Sequence, residues 1–468
     1  MRKVFFPHQK DMFAYTMREQ HPGLFVEMRL GKTLVTLRRC ALYPQRNPAI
    51  GLRILIIAPN SALQSWADEG YGEGWNVARI EGAKAKRIKG LVAGFNGTGT
   101  TQRTLFLLNK EAWKSLQEIA MLPWDAVVAD ESIFLKNATA GVTKFFLKYF
   151  RDVPHRWILN GTPCPEGEEE YFCQIAFLRG GAFGFTKYWD FKIHYMRPHP
   201  AGFGWIMKPG AADVIRRAVG SSCYVLRRKD AGMDRVKIYE RRVITMPPEI
   251  EKTYIKAELT FMLSWSDSED DPEALKTKWS VVVWHWLRRL CGGFIKSDLA
   301  WPGKINELTE ILTTTLRQEQ VVVWCCYNEE VAHIISTLRK KRINADGWTG
   351  KTKMPLRRSM EAKFRKKGIR VLVLQQATAQ TGMDLSVADT AIYFSTPPGQ
   401  MARMQTEDRI LNLNKQGSLL YIDLVVADSV DVDVLATLKE KIKNSDLSLT
   451  RALAANMRNR HTSKKDKS

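Results

Sequence analysis

Near its start the chain runs Leu24-Phe25-Val26-Glu27-Met28-Arg29-Leu30-Gly31-Lys32-Thr33 and then enters a helix-like run from Leu34 to Leu42. An apolar strand, a short loop closed by Gly-Lys-Thr and a helix, in that order, make a phosphate-binding loop. Gly31 lets the backbone turn with its amide hydrogens pointing inward, and the following helix N-terminus favours anions. In that geometry Lys32 reaches the β- and γ-phosphates of a nucleotide, and the Thr33 hydroxyl completes a magnesium shell. The customary first glycine, five residues before Gly31, is Val26 here, so the pattern is met in part. Gly-Lys-Thr also recurs by chance, and the reading depends on what the chain places around it.

A chain of 468 residues exceeds one ordinary core and predicts two domains. Its 45% hydrophobic and 26% charged content is that of a soluble globular protein. No run is long and apolar enough to span a bilayer, and Met1 to Pro7 lacks the apolar core of a signal peptide. The expected location is cytoplasmic, or wherever the DNA is. Seven cysteines without Cys-x-x-Cys spacing and eight scattered histidines read as reduced thiols, with no persuasive zinc site. A formal charge of +22 calls for a polyanionic partner. Nucleic acid is favoured over a membrane surface, because amphipathic anchors and lipidation signals are missing.

Taken in order, Gln9 lies a short way before the phosphate loop, where a two-faced amide can pair with an adenine edge. An exposed helix-start glutamine would look the same. Arg53 to Ala58 is a buried strand by its continuous apolar run, broken by Pro59-Asn60, and Ser61 to Glu69 returns to helical spacing. Thr104 to Leu108 is a second such strand. The next, Ala126-Val127-Val128-Ala129-Asp130-Glu131-Ser132, drives an apolar strand into the sheet and delivers two carboxylates at its end. Asp130 would hold magnesium, and Glu131 would orient or deprotonate the attacking water of an in-line phosphoryl transfer. Lys136-Asn137 follows, and then Trp157-Ile158-Leu159-Asn160-Gly161-Thr162-Pro163, a strand ending in a polar turn. Strands alternating with helices predict a parallel sheet with ligands at the carboxyl ends of its strands.

These stretches resemble a family. Glu27-Met28-x-Leu30-Gly31-Lys32-Thr33, Ile57-Ala58-Pro59-x-Ser61-x-Leu63-x-x-Trp66, Asp130-Glu131-Ser132-x-x-x-Lys136-Asn137 and Leu159-x-Gly161-Thr162-Pro163 are similar to motifs of Swi/Snf-type DNA-dependent ATPases. These are superfamily-two helicase-like motors. Leu226-Arg227-Arg228-Lys229 resembles the segment closing the first lobe. Phe364, Val371 to Leu374, Gly382-Met383-Asp384-Leu385 and Gln405-x-x-Asp408-Arg409 resemble the later motifs. The likeness runs from Gln9 to about residue 430. It implies an α/β fold of two RecA-like lobes, each a mostly parallel doubly wound sheet, with a short helical insertion between them and ATP in the cleft. The lobes are expected over 1–230 and 301–445, the insertion over 231–300 and a basic tail over 446–468. By the same likeness Gln9 reads adenine, Lys32, Thr33 and Asp130 hold phosphate and Mg2+, Glu131 drives hydrolysis, Gly382 and Asp384 face the cleft, and Arg409 reaches the γ-phosphate. The expected activity is ATP hydrolysis coupled to tracking duplex DNA without necessarily unwinding it, in a compact version like those of phages or bacteria.

The second half also stands on pattern. Lys304 to Leu316, Val331 to Leu338 and Arg357 to Lys366 read as helices, Val321 to Trp324, Arg370 to Leu374, Thr390 to Phe394 and Ser418 to Val425 as strands, and Ile343 to Gly350 as a turn. Residues 230 to 300 lack sheet alternation, apart from a helix over Trp279 to Leu290 whose tryptophans read as core. Asp267 to Glu273 is an acidic loop, Gly202 to Trp205 a turn and Arg458 to Ser468 a disordered basic tail.

Three departures from the family pattern bear on activity. Arg29 stands where glycine is common and puts a cation beside the phosphates, either binding them or pointing away. Ile133 replaces the usual histidine, removing a polar link from the hydrolytic pair to the next motif. Asn412 stands where the family has a second arginine, a residue type that neutralises transition-state charge, with Lys415 and Arg403 as conceivable substitutes. The alternative reading is therefore a catalytically impaired, nucleotide-responsive DNA clamp. With no base-reading motif, contact with DNA is expected to run along the backbone and to weaken steeply with salt.

Overall fold

The continuous apolar runs of the first half become strands of a single sheet. The computed structural model describes residues 3–45, 51–96, 102–114, 116–161, 164, 167–198, 204–266, 278–295, 298–378, 383–412 and 415–439. The chain divides into two units, Met1–Asp234 and Arg235–Ser468.

In the first unit the strands are β1 (Gly23–Val26), β2 (Leu52–Ala58), β3 (Asn76–Ile80), β4 (Arg103–Asn109), β5 (Ala126–Asp130), β6 (His155–Asn160), β7 (Met196–Pro198), β8 (Trp205–Met207) and β9 (Tyr224–Leu226). Seven of them form one sheet in the order β3-β4-β2-β5-β6-β1-β9, every neighbouring pair parallel. On one face Leu55, Ile57, Phe106, Val127 and Ile158 pack against Phe145, Phe146, Phe172 and Phe177 of the helices Gly141–Tyr149 and Tyr171–Arg179. The opposite parity, Ile54, Ile56, Leu107, Val128 and Leu159, is equally buried. Burial on both faces explains why these strands read as unbroken apolar runs. The remaining strands, β7 and β8, form a separate antiparallel hairpin.

The second unit repeats the plan with β10 (Lys237–Ile244), β11 (Phe294–Ile295), β12 (Asp298–Leu299), β13 (Val321–Cys325), β14 (Ala345–Trp348), β15 (Val371–Gln375), β16 (Thr390–Tyr393) and β17 (Leu419–Val426). Its sheet runs β10-β17-β16-β13-β15-β14, again with parallel pairs throughout. Val321, Val323, Val371, Val373 and Ile392 face one core, Val322, Trp324, Leu372, Leu374 and Tyr393 the other. Trp284 and Trp286 pack at the edge of a third cluster around Tyr254, Leu287 and Val434, as core rather than stacking surfaces.

Two expectations need correction. Lys237–Ile244, placed among residues without sheet alternation, is a strand in register with β17 along its whole length. It is an edge strand with much of its length in solvent, so a charged sequence, Lys-Ile-Tyr-Glu-Arg-Arg-Val-Ile, satisfies it. Ile343 to Gly350 contains β14, whose Ala-Asp-Gly-Trp sequence has no strand signature. A Cβ at Gly347 would collide with the Val373 carbonyl, so close approach of the backbones selects glycine there. The acidic loop and the basic tail lie outside the described residues, as do Thr162, Pro163 and Gly382. Among the described residues, no helix is long and apolar enough to cross a membrane.

Candidate nucleotide-binding site

Strand register decides which loops meet. Asp130 of β5 is in register with Leu159 of β6, and Leu159 with Leu24 of β1. The loop after Val26 and the carboxylates ending β5 therefore leave the same sheet edge, two strands or about 10 Å apart. Between them Gly161, just past β6, lies against Met28 of the loop.

The loop is built from left-handed backbone. Gly31 has φ +86° and caps the helix Lys32–Cys40, and a Cβ there would collide with the side-chain nitrogen of Gln9. Arg29 has φ +68°. That conformation is nearly free for glycine and costly for other residues, which gives a physical reason for the glycine that the family resemblance implies at this position. Lys32 folds back into its own loop, its Nζ donating to the carbonyls of Val26 and, at 3.3 Å, Glu27. Gln9, buried in the helix Pro7–Arg18, donates Nε2 to the Leu30 carbonyl at 3.3 Å and accepts from the Phe6 amide at 3.1 Å. The adenine-reading candidate is thus physically tied to the phosphate loop.

Asp130 is buried at the end of β5. Burial pushes its carboxyl above the usual range, against the Trp66 indole N–H, the Lys32 ammonium and the Glu131 amide. Trp66 donates to Oδ2 at 2.7 Å and the Glu131 amide to Oδ1 at 2.9 Å. Glu131 itself has φ +50°, a left-handed turn for a side chain with no local steric excuse, of the kind that concentrates at functional sites. A buried carboxylate, a hydroxyl at Thr33, and an ammonium parked on neutral carbonyls are the donor set for a polyphosphate with a hard divalent cation.

Motif residues around this centre are tied together partly through Gln174 and Glu170, which carry no sequence signature. The Ser132 hydroxyl donates to Gln174 Oε1 at 2.7 Å, Gln174 Nε2 to the Glu170 carbonyl at 2.9 Å, and Lys136 pairs with Glu170 at 2.7 Å. These contacts join the end of β5 to the helix Tyr171–Arg179. Glu27 accepts from the Arg228 amide at 3.0 Å and pairs with its guanidinium at 3.3 Å, while its own amide donates to Leu226. Leu226-Arg227-Arg228-Lys229 is therefore fastened directly to the phosphate loop.

In the second unit the Asp384 amide donates to Glu361 Oε1 at 2.9 Å, and the Leu385 amide to the Arg409 carbonyl at 3.1 Å. Burial raises the Glu361 carboxyl, while the charges of Arg365 and Arg409 oppose the rise. Glu361, absent from the sequence reading, thus holds the Asp384 backbone and feels the charge of Arg409. Arg403 and Lys415 are already engaged. Arg403 forks onto Asp423, donates to Glu407 at 2.8 Å and lies 3.5 Å from the Tyr393 ring centroid. Lys415 donates to the Val387 carbonyl at 2.7 Å and to Asp389. Neither is available in this arrangement to replace an arginine at Asn412.

Residues 8–213 match the SNF2-related domain family, and residues 303–414 the helicase conserved C-terminal domain family. The SWI/SNF-related matrix-associated actin-dependent regulator of chromatin subfamily A-like protein 1 of Xenopus tropicalis is 23% identical over 447 residues, covering 93% of this chain and 44% of its own length. The DNA annealing helicase and endonuclease ZRANB3 of Mus musculus is 27% identical over 207 residues, 44% of this chain and 18% of its own. The chain spans less than half the length of these relatives. The Pyrococcus furiosus Hef helicase domain shares the fold, with a TM-score of 0.53 at 12% identity, over 92% of this chain and 97% of that one. The two parallel sheets are accordingly two RecA-like lobes.

Proposed function

Because the chain belongs with the Swi/Snf-type ATPases, joining an SNF2-related domain to a helicase conserved C-terminal domain, we propose that it is a DNA-dependent ATPase that translocates along duplex DNA. The observation that carries this reading is the convergence of Lys32, Asp130 and Glu131 on one sheet edge. On nucleotide binding Lys32 exchanges the neutral carbonyls of Val26 and Glu27 for charged phosphate oxygens, a stronger acceptor set. Arg29 adds a second cation at the loop. Gln9 releases the Leu30 carbonyl and the Phe6 amide and presents the same donor and acceptor to adenine. Thr33 and Asp130 are the residues that would hold magnesium, which supplies charge neutralisation to the phosphates. Glu131 orients the attacking water and accepts its proton. The family resemblance would give Gly382 and Asp384 a role in nucleotide contact and Arg409 a role in stabilising the γ-phosphate charge. The formal charge of +22 supports backbone contact with DNA.

One observation favours a second reading, a clamp that binds nucleotide and DNA without efficient turnover: Asn412 occupies the second arginine position while Arg403 and Lys415 are held elsewhere. Third-strand displacement separates the two. Given ATP, a translocase strips a triplex-forming strand from a duplex, and Glu131→Gln loses that activity. Duplex binding without displacement by the unmodified chain would favour the clamp.

A further inference from the structure

The β7–β8 hairpin and the helix preceding it, Tyr188–Tyr195, carry chemistry that the nucleotide site does not use. Trp189, in the first turn of that helix, is 57% exposed. Its ring meets Trp205 of β8 edge-on, with 5.8 Å between centroids and 73° between planes. Lys192, one turn further along, holds its ammonium 4.5 Å from the Trp205 centroid and 5.7 Å from that of Trp189.

The support beneath is firm. Phe191 and Met196 are buried, and Met207 packs against the core of the first unit. Lys208 ties the hairpin to the helix by donating to the carbonyls of Ile193 and His194, both at 2.9 Å. The Trp189 indole is therefore set on a fixed base and left at the surface beside a half-buried Trp205, although burial of such rings is among the most favourable contributions a small core can gain. Lys187, two residues before Trp189, and Lys208, three after Trp205, are exposed, with Asp190 as the acidic neighbour in sequence. That excess of cations disfavours an apolar protein partner and suits a polyanion. Flat aromatic faces ringed by cations are what an unpaired base and its flanking phosphates require, and the stacked interior of a duplex offers no such face.

We propose that Trp189, Trp205 and Lys192 form a stacking platform for an unpaired nucleobase, so that the protein holds a single-stranded arm beside the duplex it tracks. This rests on the DNA-dependent reading above.

The test is fluorescence anisotropy with a forked duplex bearing a single-stranded arm and a blunt duplex of equal length, using the full chain, Trp189→Ala and Trp189→Phe. The platform predicts that the unmodified chain prefers the fork. Trp189→Ala should lose about tenfold on the fork and nothing on the blunt duplex, with unchanged melting temperature and duplex-stimulated ATP hydrolysis. Trp189→Phe should restore most of the loss, because a ring remains. Equal affinity of the unmodified chain for fork and blunt duplex overturns the platform alone. So does unchanged fork binding by Trp189→Ala, which would leave a protein as the occupant, or an equal loss on both DNAs. Failure to bind either DNA overturns the DNA-dependent reading and the platform with it.

Discussion

Asp130 occupies a place that burial alone makes hostile to charge, and the groups around it pull toward ionisation without fully reversing that effect. A divalent cation would complete the reversal. Trp66→Phe keeps a ring beside Asp130 and removes its indole N–H. Because a hydrogen bond to a charged group contributes about 1.5–3 kcal/mol, the magnesium concentration for half-maximal ATP hydrolysis should rise about tenfold. An unchanged magnesium titration would show that the indole does not position this carboxylate. At Gly31 the backbone and the neighbour act together: Gly31→Ala places a Cβ at φ +86° and against Gln9. Titration with a fluorescent ATP analogue should show affinity reduced by on the order of a hundredfold, and a loss smaller than threefold would contradict the geometry. Lys32, Asp130 and Glu131 stand out in the sequence because their residue types fall at strand ends and at short local spacing. Trp66 stands out as part of a motif, but its contact with Asp130 does not, and neither do Gln174 and Glu361. Trp66 meets Asp130 across 64 residues and Gln174 meets Ser132 across 42, and such pairs exist only once strand order is known.

At the scale of elements, legibility followed burial. Strands covered on both faces, such as β2, β5, β13 and β15, announce themselves as apolar runs, whereas the edge strands β10 and β14 carry charges or glycine and do not. Helices show the same dependence, since the helix Lys278–Cys291 was legible from its apolar face. One element carries a titratable load. Glu330, in the first turn of the helix Asn328–Lys340, is fully buried and accepts from the amides of Cys326 and Tyr327 at 3.1 Å and from the Ser395 hydroxyl at 2.6 Å. Burial lifts its carboxyl from 4.5 to about 7, with Lys304 and Arg288 opposing. The folded chain thus keeps a proton that the unfolded chain releases, so stability falls as pH rises from about 4.5 to about 7 and stays lower above that. Glu330→Gln retains an acceptor oxygen and removes the titration. It should stabilise the second unit by roughly 2–3 kcal/mol at pH 8 relative to pH 5, read as a pH-dependent difference in melting temperature from the unmodified chain. The same difference at both pH values would contradict this assignment.

The whole molecule joins two sheets of one design, and the chain passes between them through a segment anchored at each end. Arg228 is fixed to Glu27 of the phosphate loop, and Arg235 to Asp389 and the carbonyls of Gly417 and Ser418 in the second unit. Whether the chain acts as a motor or a clamp turns on Asn412, the departure from the family pattern that bears most directly on transition-state charge. Steady-state ATP hydrolysis with and without duplex DNA, in the unmodified chain, Glu131→Gln and Asn412→Arg, addresses this most directly. The account predicts turnover that duplex stimulates and that Glu131→Gln lowers by at least about a hundredfold. No turnover by the unmodified chain, with hydrolysis appearing in Asn412→Arg, would contradict it and establish the clamp.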